Sequence, residues 1–298
     1  MTARVILNPY AGRGRASRLR DSMKEALIEA GVQFELVETQ GPLDAIELAK
    51  ESVRAGFSPL IAAGGDGLIS EVVNGMHQAN PNGPIGPLGI MPLGTANDLA
   101  INLDLPTDLT EAAAAIAGGR SRRIDLGQVG DWVFDNNSAI GLEPVVTLFN
   151  LEMVRLNGTS RYLIAALMAI RQGRSWQASL RWEDGSYQGP ISLVTVGNGA
   201  VTGGLFRMAP AADPTDGLLT FVHAYAPSRL KMLSLLPRTI TGRYIDDPAV
   251  HQHHTRWLEI TVEPGSPLQV DGEIRGREIT SLRYSILPNH LDVLHNKP

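Results

Sequence analysis

The 298-residue chain contains no cysteine, an absence that removes disulfides, thiolate nucleophiles, zinc ribbons and iron–sulfur clusters together and points to a reducing cytoplasm. Lysine is scarce: the 26 basic residues are 22 Arg and only 4 Lys. Genome composition explains that bias more simply than a set of bidentate phosphate contacts does. Positive charge is not in excess either, because 31 acidic residues leave a formal net charge of −5, which argues against a nucleic-acid binder with a general basic face. Long apolar runs are also missing. The longest, Tyr162 to Ile170, is about half of the ~20 residues that a spanning helix needs, so no transmembrane segment is expected. The N-terminal MTARVILNPYAG is too poor in apolar residues for the ~7–15-residue core of a secretory signal and reads as a first strand.

What is present is a change of pattern along the chain. A length near 300 residues corresponds to one large domain or two smaller ones. From Arg4 to Arg122 short apolar runs alternate with longer amphipathic ones, the pattern of a parallel sheet covered by helices, and five strands are expected there. The first, Arg4 to Leu7, ends at Asn8-Pro9, and a glycine-bearing turn leads to a helix from Ser17 to Glu29. A second strand, Gln33 to Glu38, precedes a helix with Pro42 in its first turn. A third, Pro59 to Ala63, runs into Gly64-Gly65-Asp66-Gly67, and Leu88 to Met91 runs into Gly94-Thr95-Ala96-Asn97-Asp98. From Ile124 onward strands dominate, at Gln177–Trp182, Ile191–Val196, Leu218–His223, Trp257–Val262 and Ile279–Ile286, with helical stretches at Glu143–Gly173 and Pro227–Thr241. The expected fold is α/β: an N-terminal parallel-sheet nucleotide-binding domain, 1–122, then an antiparallel β-rich, sandwich-like domain, 123–286. The C-terminal strand in 287–298 is free to return to the first domain.

Open parallel sheets bind ligands beyond the carboxyl ends of their strands, and glycine gathers at those ends here. Asn8-Pro9-Tyr10-Ala11-Gly12-Arg13-Gly14 follows the first strand and Gly64-Gly65-Asp66-Gly67 the third. Glycines let backbone N–H groups approach phosphate oxygens beside a helix N-terminus. Neither turn is a Walker A loop, which needs a Lys that is absent, and the dinucleotide fingerprint fails because Ser17 stands where its third glycine belongs. Singly, each is an ordinary left-handed turn. Two on one edge, one of them carrying an acid, favour a nucleotide site. Phosphoryl transfer needs Mg²⁺ held by carboxylates and water, donors around the phosphates, and a base beside the attacking hydroxyl. Asp66, Asp98, Asp125 and the triplet Asp271-Gly272-Glu273 are sufficient for these roles. Without that chemistry the first two are helix caps and the triplet a hairpin turn.

Taken in order, Asn8-Pro9 with Gly12, GGDG with Glu71-Val72-Val73-Asn74-Gly75, the Gly94–Asp98 run, Gly203-Gly204 with Pro210 and Asp216-Gly217-Leu218, and Val270-Asp271-Gly272-Glu273 resemble the soluble bacterial diacylglycerol kinase and lipid kinase family, related to the sphingosine kinases. The resemblance spans nearly the whole chain. It implies an α/β nucleotide-binding domain and a β-rich lipid-acceptor domain, with ATP and the lipid head group meeting in the cleft between them. Carried over residue by residue, it implies that Asn8, Pro9, Tyr10, Ala11, Gly12, Thr39, Gly64, Gly65, Asp66, Gly67, Leu68, Ile69, Ser70, Glu71, Gly94, Thr95 and Asn97 contact ATP. It implies further that Glu273 is the general base and that Asp66, Asp98 and Asp125 organise the catalytic Mg²⁺ and its waters. A second, structural Mg²⁺ would take the Asp216 carboxylate and the backbone carbonyls of Asp213 and Leu218. One position departs from the family. Many bacterial members have Thr where this chain has Leu68, whereas the sphingoid-base and ceramide kinase branch carries Gly-Asp-Gly-Leu.

The implied activity is ATP- and Mg²⁺-dependent phosphorylation of a diacylglycerol-like hydroxyl by a cytoplasmic enzyme, peripheral to the inner leaflet when it meets its lipid, with a homodimer allowed and no nucleic-acid partner. The alternatives are a sphingoid-base or phosphatidylglycerol kinase, an NAD kinase, and a lipid-binding protein without catalysis. Gly-Thr-Ala-Asn-Asp and the late Val-Asp-Gly-Glu favour the lipid kinase over NAD kinase, and the intact acids argue against lost catalysis. His251-Gln252-His253-His254, beside Asp246, Asp247 and Pro248, reads as an exposed loop rather than a metal site. Tyr162–Ile170, flanked by Arg155, Arg161, Arg171 and Arg174, reads as a core helix more readily than as an interfacial one.

Overall fold

Short aliphatic strands alternate with amphipathic helices through the first 120 residues, and in the computed structural model, which describes residues 2–153 and 158–296, they assemble as that pattern dictates. Two units result, Met1–Leu126 with Pro288–Pro298, and Gly127–Leu287. The first contains β1 (Ala3–Leu7), α1 (Ala11–Glu29), β2 (Phe34–Glu38), α2 (Asp44–Arg54), β3 (Leu60–Gly64), α3 (Asp66–Ala79), β4 (Ile85–Pro92), α4 (Asp98–Asn102), α5 (Leu109–Gly118) and the start of β5 (Ser121–Val129). β1 lies parallel between β2 and β3, and β3 pairs in parallel with β4. Every residue of β3 is buried, as the central strand of a sheet covered on both faces requires. Val5, Leu7, Ile61 and Met91 pack with Met23 and Leu27 of α1 and Ile116 of α5, each such side chain contributing roughly 1.5–3 kcal/mol by leaving water.

Three expectations for this unit change. The helix after β1 starts at Ala11, not Ser17, because Asn8 folds the chain straight into it: its Oδ1 accepts Tyr10 N–H and its backbone carbonyl accepts Ala11 N–H. Gly12 and Gly14, both at positive φ, are absorbed into the first turn. The fifth parallel strand lies not before Arg122 but at the C-terminus, in the return to this unit that the sequence left open: Leu291 and Val293 pair with Ile85 and Leu88 of β4. The units part after Leu126, inside β5, rather than at Arg122.

The second unit holds β6 (Trp132–Phe134), β7 (Asn137–Gly141), α6 (Leu142–Glu152), α7 (Gly158–Gln172), β8 (Trp176–Trp182), β9 (Gly185–Ile191), β10 (Leu193–Gly197), β11 (Leu219–Ala224), α8 (Arg229–Thr239), β12 (Val250–Thr255), β13 (Trp257–Val270) and most of β14 (Glu273–Leu294). Its pairing is antiparallel: β12 to β11, β11 to β10, β10 to β7, and β13 to β7, β8 and β14. In β8, Trp176, Ala178, Leu180 and Trp182 are buried and alternate with exposed residues, the period-2 pattern of a strand with one face on the core.

The expected His251–His254 loop is instead strand β12. The alternation of His and Gln fits the pleat, and His253 packs on Trp182 and Phe221 while His251 stacks on His223, with ring centroids 4.6, 5.0 and 5.0 Å apart. Burial, with His251 and His253 alongside, pushes the His223 pKa down to about 4. Helix α7 is split by face: Ala165, Ala166, Ala169 and Ile170 are buried, while Leu163, Ile164, Leu167 and Met168 are exposed. Arg155 lies outside the described residues.

Candidate active site

Three turns follow β1, β3 and β4. Gly65 and Gly94 bring two of them into backbone contact: a Cβ on Gly94 would lie 2.5 Å from Gly65 Cα and 2.7 Å from Asn97 Oδ1. Gly12, at φ +58°, closes against the same region, where a Cβ would stand 3.0 Å from the Leu93 carbonyl oxygen. Asp66 locks the arrangement. It opens α3, yet its carboxylate accepts the N–H groups of Asn97 and Asp98 at 2.9 and 2.5 Å, so it caps the start of α4 rather than its own helix. Asn97 takes the left-handed conformation that this grip demands, with φ 54°. Burial raises the Asp66 pKa against the opposing pull of those amides. The N-terminus of α3 has Gly65 at its cap and no side-chain cap, an arrangement in which first-turn N–H groups and the helix dipole favour an anion.

The other expected nucleotide contacts divide into exposed and framework positions. Thr95 is exposed at the tip of its turn and Tyr10 beside the first, and Arg15 reaches the Gly94 carbonyl at 3.4 Å. Thr39 is buried, its N–H donating to the Leu7 carbonyl. Leu68, Ile69 and Ser70 are buried as well. Leu68 folds back so far that a Cβ on Gly64 would meet its Cδ2 at 2.5 Å; its side chain faces the core. The Glu71 carboxylate accepts Leu43 and Ala45 N–H at 3.0 and 3.3 Å, serving the start of α2.

Of the acids assigned to Mg²⁺, Asp98 is buried directly beside the turn that Asp66 holds, whereas Asp125 is fully buried and accepts Asn289 N–H at 2.6 Å, tying β5 to the returning C-terminal strand. Among the described residues no group of three or more His, Asp or Glu is arranged to hold a metal. Mg²⁺ usually takes one or two carboxylates together with phosphate oxygens and water, so Asp66 and Asp98 are a sufficient protein share. On the exposed Asp213–Leu218 loop, Asp213 Oδ1 accepts Thr215 N–H and Oγ1–H, and Asp216 Oδ1 accepts Leu218 N–H.

In the second unit, Asp271 and Gly272 take φ 46° and 80°, the two-residue hairpin turn that Asp-Gly favours, and it leaves Glu273 exposed at the start of β14. The Asp271 carboxylate fixes the turn by accepting three successive backbone N–H groups, from Asp135, Asn136 and Asn137, at 3.3, 3.1 and 3.1 Å. Sequence reasoning missed a second acid here. Glu143, in the first turn of α6, accepts hydrogen bonds from Asn137 Nδ2, Gln269 Nε2 and Thr195 Oγ1 at 2.7, 3.0 and 2.6 Å, and burial pushes its pKa up. Its only signal was an acid between Leu142 and Pro144 in an apolar stretch.

Two family models cover this chain: residues 2–129 match the diacylglycerol kinase catalytic domain, and residues 138–295 match the YegS C-terminal NAD kinase beta sandwich-like domain. The chain belongs to the diacylglycerol kinase and YegS-like lipid kinase family. It is similar to a YegS-like lipid kinase of Chromohalobacter salexigens, 32% identical over 265 residues that make up 88% of this chain and 84% of that one. It is also similar to a diacylglycerol kinase of Staphylococcus saprophyticus, 29% identical over 276 residues, 92% and 90% of the two chains. A solved diacylglycerol kinase structure from Bacillus anthracis str. Sterne has the same fold, with a TM-score of 0.75 at 20% identity over 99% of this lipid kinase and 97% of that chain. The second model's description is of a sandwich like that of NAD kinase, and the match over residues 2–129 carries the lipid kinase assignment.

Proposed function

We propose that this lipid kinase transfers a phosphoryl group from ATP to the hydroxyl of a diacylglycerol-like lipid. The observation that carries the reading is the Asp66 carboxylate gripping the Asn97 and Asp98 amides, which makes two glycine turns beside the uncapped start of α3 into one rigid edge for phosphates. When bound, ATP supplies the phosphoryl group and Mg²⁺ offsets its charge. The turns at Asn8–Gly12, Gly65–Gly67 and Gly94–Thr95 would hold the phosphates, and Asp66 and Asp98 would provide the protein's carboxylates to Mg²⁺. Glu273 takes the proton from the acceptor hydroxyl as its oxygen bonds to the γ-phosphorus, whose bond to the bridging oxygen breaks and releases ADP.

The acceptor is met at a membrane surface. No helix among the described residues is long and apolar enough to cross a bilayer, but α7 exposes Leu163, Ile164, Leu167 and Met168. It carries Arg161 and Arg171 with no acid, and Arg174 follows. That combination suits the anionic inner leaflet.

The test is incubation with ATP, Mg²⁺ and vesicles containing diacylglycerol, phosphatidylglycerol or sphingosine, with NAD as a soluble competitor. Phosphorylation of diacylglycerol first among these supports the reading, while phosphorylation of NAD alone, or lipid binding with no turnover of any acceptor, overturns it. Glu273→Gln should lose ~10²–10⁴-fold in turnover with nucleotide affinity unchanged. A variant retaining more than about half of wild-type turnover removes Glu273 from the role of base.

A further inference from the structure

The turn that presents Glu273 is braced from behind by a carboxylate that the reaction above does not use. Glu143 lies two residues beyond the buried strand β7, in the first turn of α6. Its Oε1 accepts Asn137 Nδ2–H and Gln269 Nε2–H, and its Oε2 accepts Thr195 Oγ1–H. A carboxamide has its donor and acceptor on opposite sides. With Nε2 turned toward Glu143, the buried Gln269 aims Oε1 the other way, where it accepts the Gly272 N–H at 2.6 Å. Gly272 directly precedes Glu273. Both amide donors converge on one oxygen of Glu143, and the Thr195 hydroxyl meets the other.

We propose that Glu143 is a positioning residue for Glu273: it fixes the orientation of the Gln269 side-chain amide, which in turn holds the Gly272 N–H and so the direction in which Glu273 leaves the turn. This rests on the reading of Glu273 as the general base. The relay is short, Glu143 to Gln269 to Gly272, and each link is a hydrogen bond of 3.0 Å or less. A role confined to holding the sheet together would lower stability and every activity in parallel. A positioning role acts on the proton-transfer step and leaves nucleotide binding alone.

Two variants test it in the full-length enzyme. Glu143→Leu keeps roughly the size but removes both acceptors, so that Gln269 Nε2 loses its partner and the amide is free to turn that nitrogen toward the Gly272 N–H. Gln269→Met removes the relay and leaves Glu143 in place. With diacylglycerol vesicles as acceptor, both variants should lose about 10²-fold in kcat, the loss associated with an ångström-scale misplacement, while KM for ATP stays within about twofold of wild type. The double variant should be no worse than the poorer single one. In a Glu273→Gln background neither substitution should change the residual rate, since nothing remains to be positioned. Wild-type kcat in either folded variant overturns the proposal, as does a full further loss on top of Glu273→Gln. Where Glu143→Leu fails to fold, Gln269→Met decides alone. The base reading is judged separately by Glu273→Gln by itself: an inactive Glu273→Gln beside a fully active Gln269→Met removes only the positioning role.

Discussion

Replacing Gly94 by alanine perturbs the site without removing a charge or a hydrogen-bonding group. Gly94 is absent from the left-handed glycines of this chain, so the backbone tolerates a side chain and the objection is steric. The added carbon would stand 2.5 Å from Gly65 Cα, where carbon atoms prefer about 3.5–4.0 Å. The Gly64–Gly67 and Gly94–Asp98 turns must therefore separate by about 1 Å, and Asn97 must yield too. Overpacking of this kind costs roughly 1–3 kcal/mol, and a displacement of about 1 Å at a catalytic edge costs on the order of 10²-fold in rate. Gly94→Ala should lower kcat/KM for ATP about 100-fold and the melting temperature by several degrees. Gly118→Ala, at a helical position where a Cβ meets nothing within 4 Å, is the control and should leave kcat/KM unchanged and the melt unchanged or slightly raised. The assay is ATP-dependent phosphorylation of diacylglycerol in vesicles beside a thermal melt of each variant. A Gly94→Ala enzyme with wild-type kcat/KM and an unmoved melt refutes the reasoning that the two turns are held in contact for function.

Glu71→Ala should cost about 1 kcal/mol of stability, the usual loss of a helix-start cap, and leave KM for ATP unchanged; a raised KM at unchanged stability means that Glu71 contacts nucleotide instead. Mg²⁺ without nucleotide should raise the melting temperature if the Asp213–Leu218 loop binds it, since binding to the folded state alone stabilises it. Asp216→Asn should erase that rise, and identical melts with Mg²⁺ and with chelator leave the loop as a plain turn. Stability should fall as pH drops from 6.5 toward 4, because His223, held down to about 4, resists a proton that the unfolded chain accepts; the loss from this one group is at most about 3 kcal/mol. His223→Gln should flatten the denaturation midpoint over that window, and an unchanged slope in the variant contradicts the assignment.

Much of the fold was legible because periodicity is local. The alternation of aliphatic strands and amphipathic helices before Arg122, and the period-2 pattern of Trp176–Trp182, follow from which residues leave water in each kind of element. The glycine turns were legible too, since only glycine permits the approaches at Gly64 and Gly94, and their order along the chain carries the family. What the sequence alone could not determine is where each polar side chain spends its hydrogen bonds. Asp66 binds the amides of a turn about thirty residues away, Glu71 serves a different helix, and Asp125 holds a strand from the far end of the chain. Asp, Glu and Asn near a turn have the same local signature whether they cap a helix, brace a loop or face a ligand. Glu143 stayed hidden for the same reason: its partners Asn137, Thr195 and Gln269 come from three different strands, and only antiparallel pairing brings them around one carboxylate. His251–His254 misled for the converse reason. Asp246, Asp247 and Pro248 beside it gave the signature of a loop, and the aromatic face that turns it into a strand belongs to Trp182, Phe221 and His223, residues that only the tertiary structure places beside it.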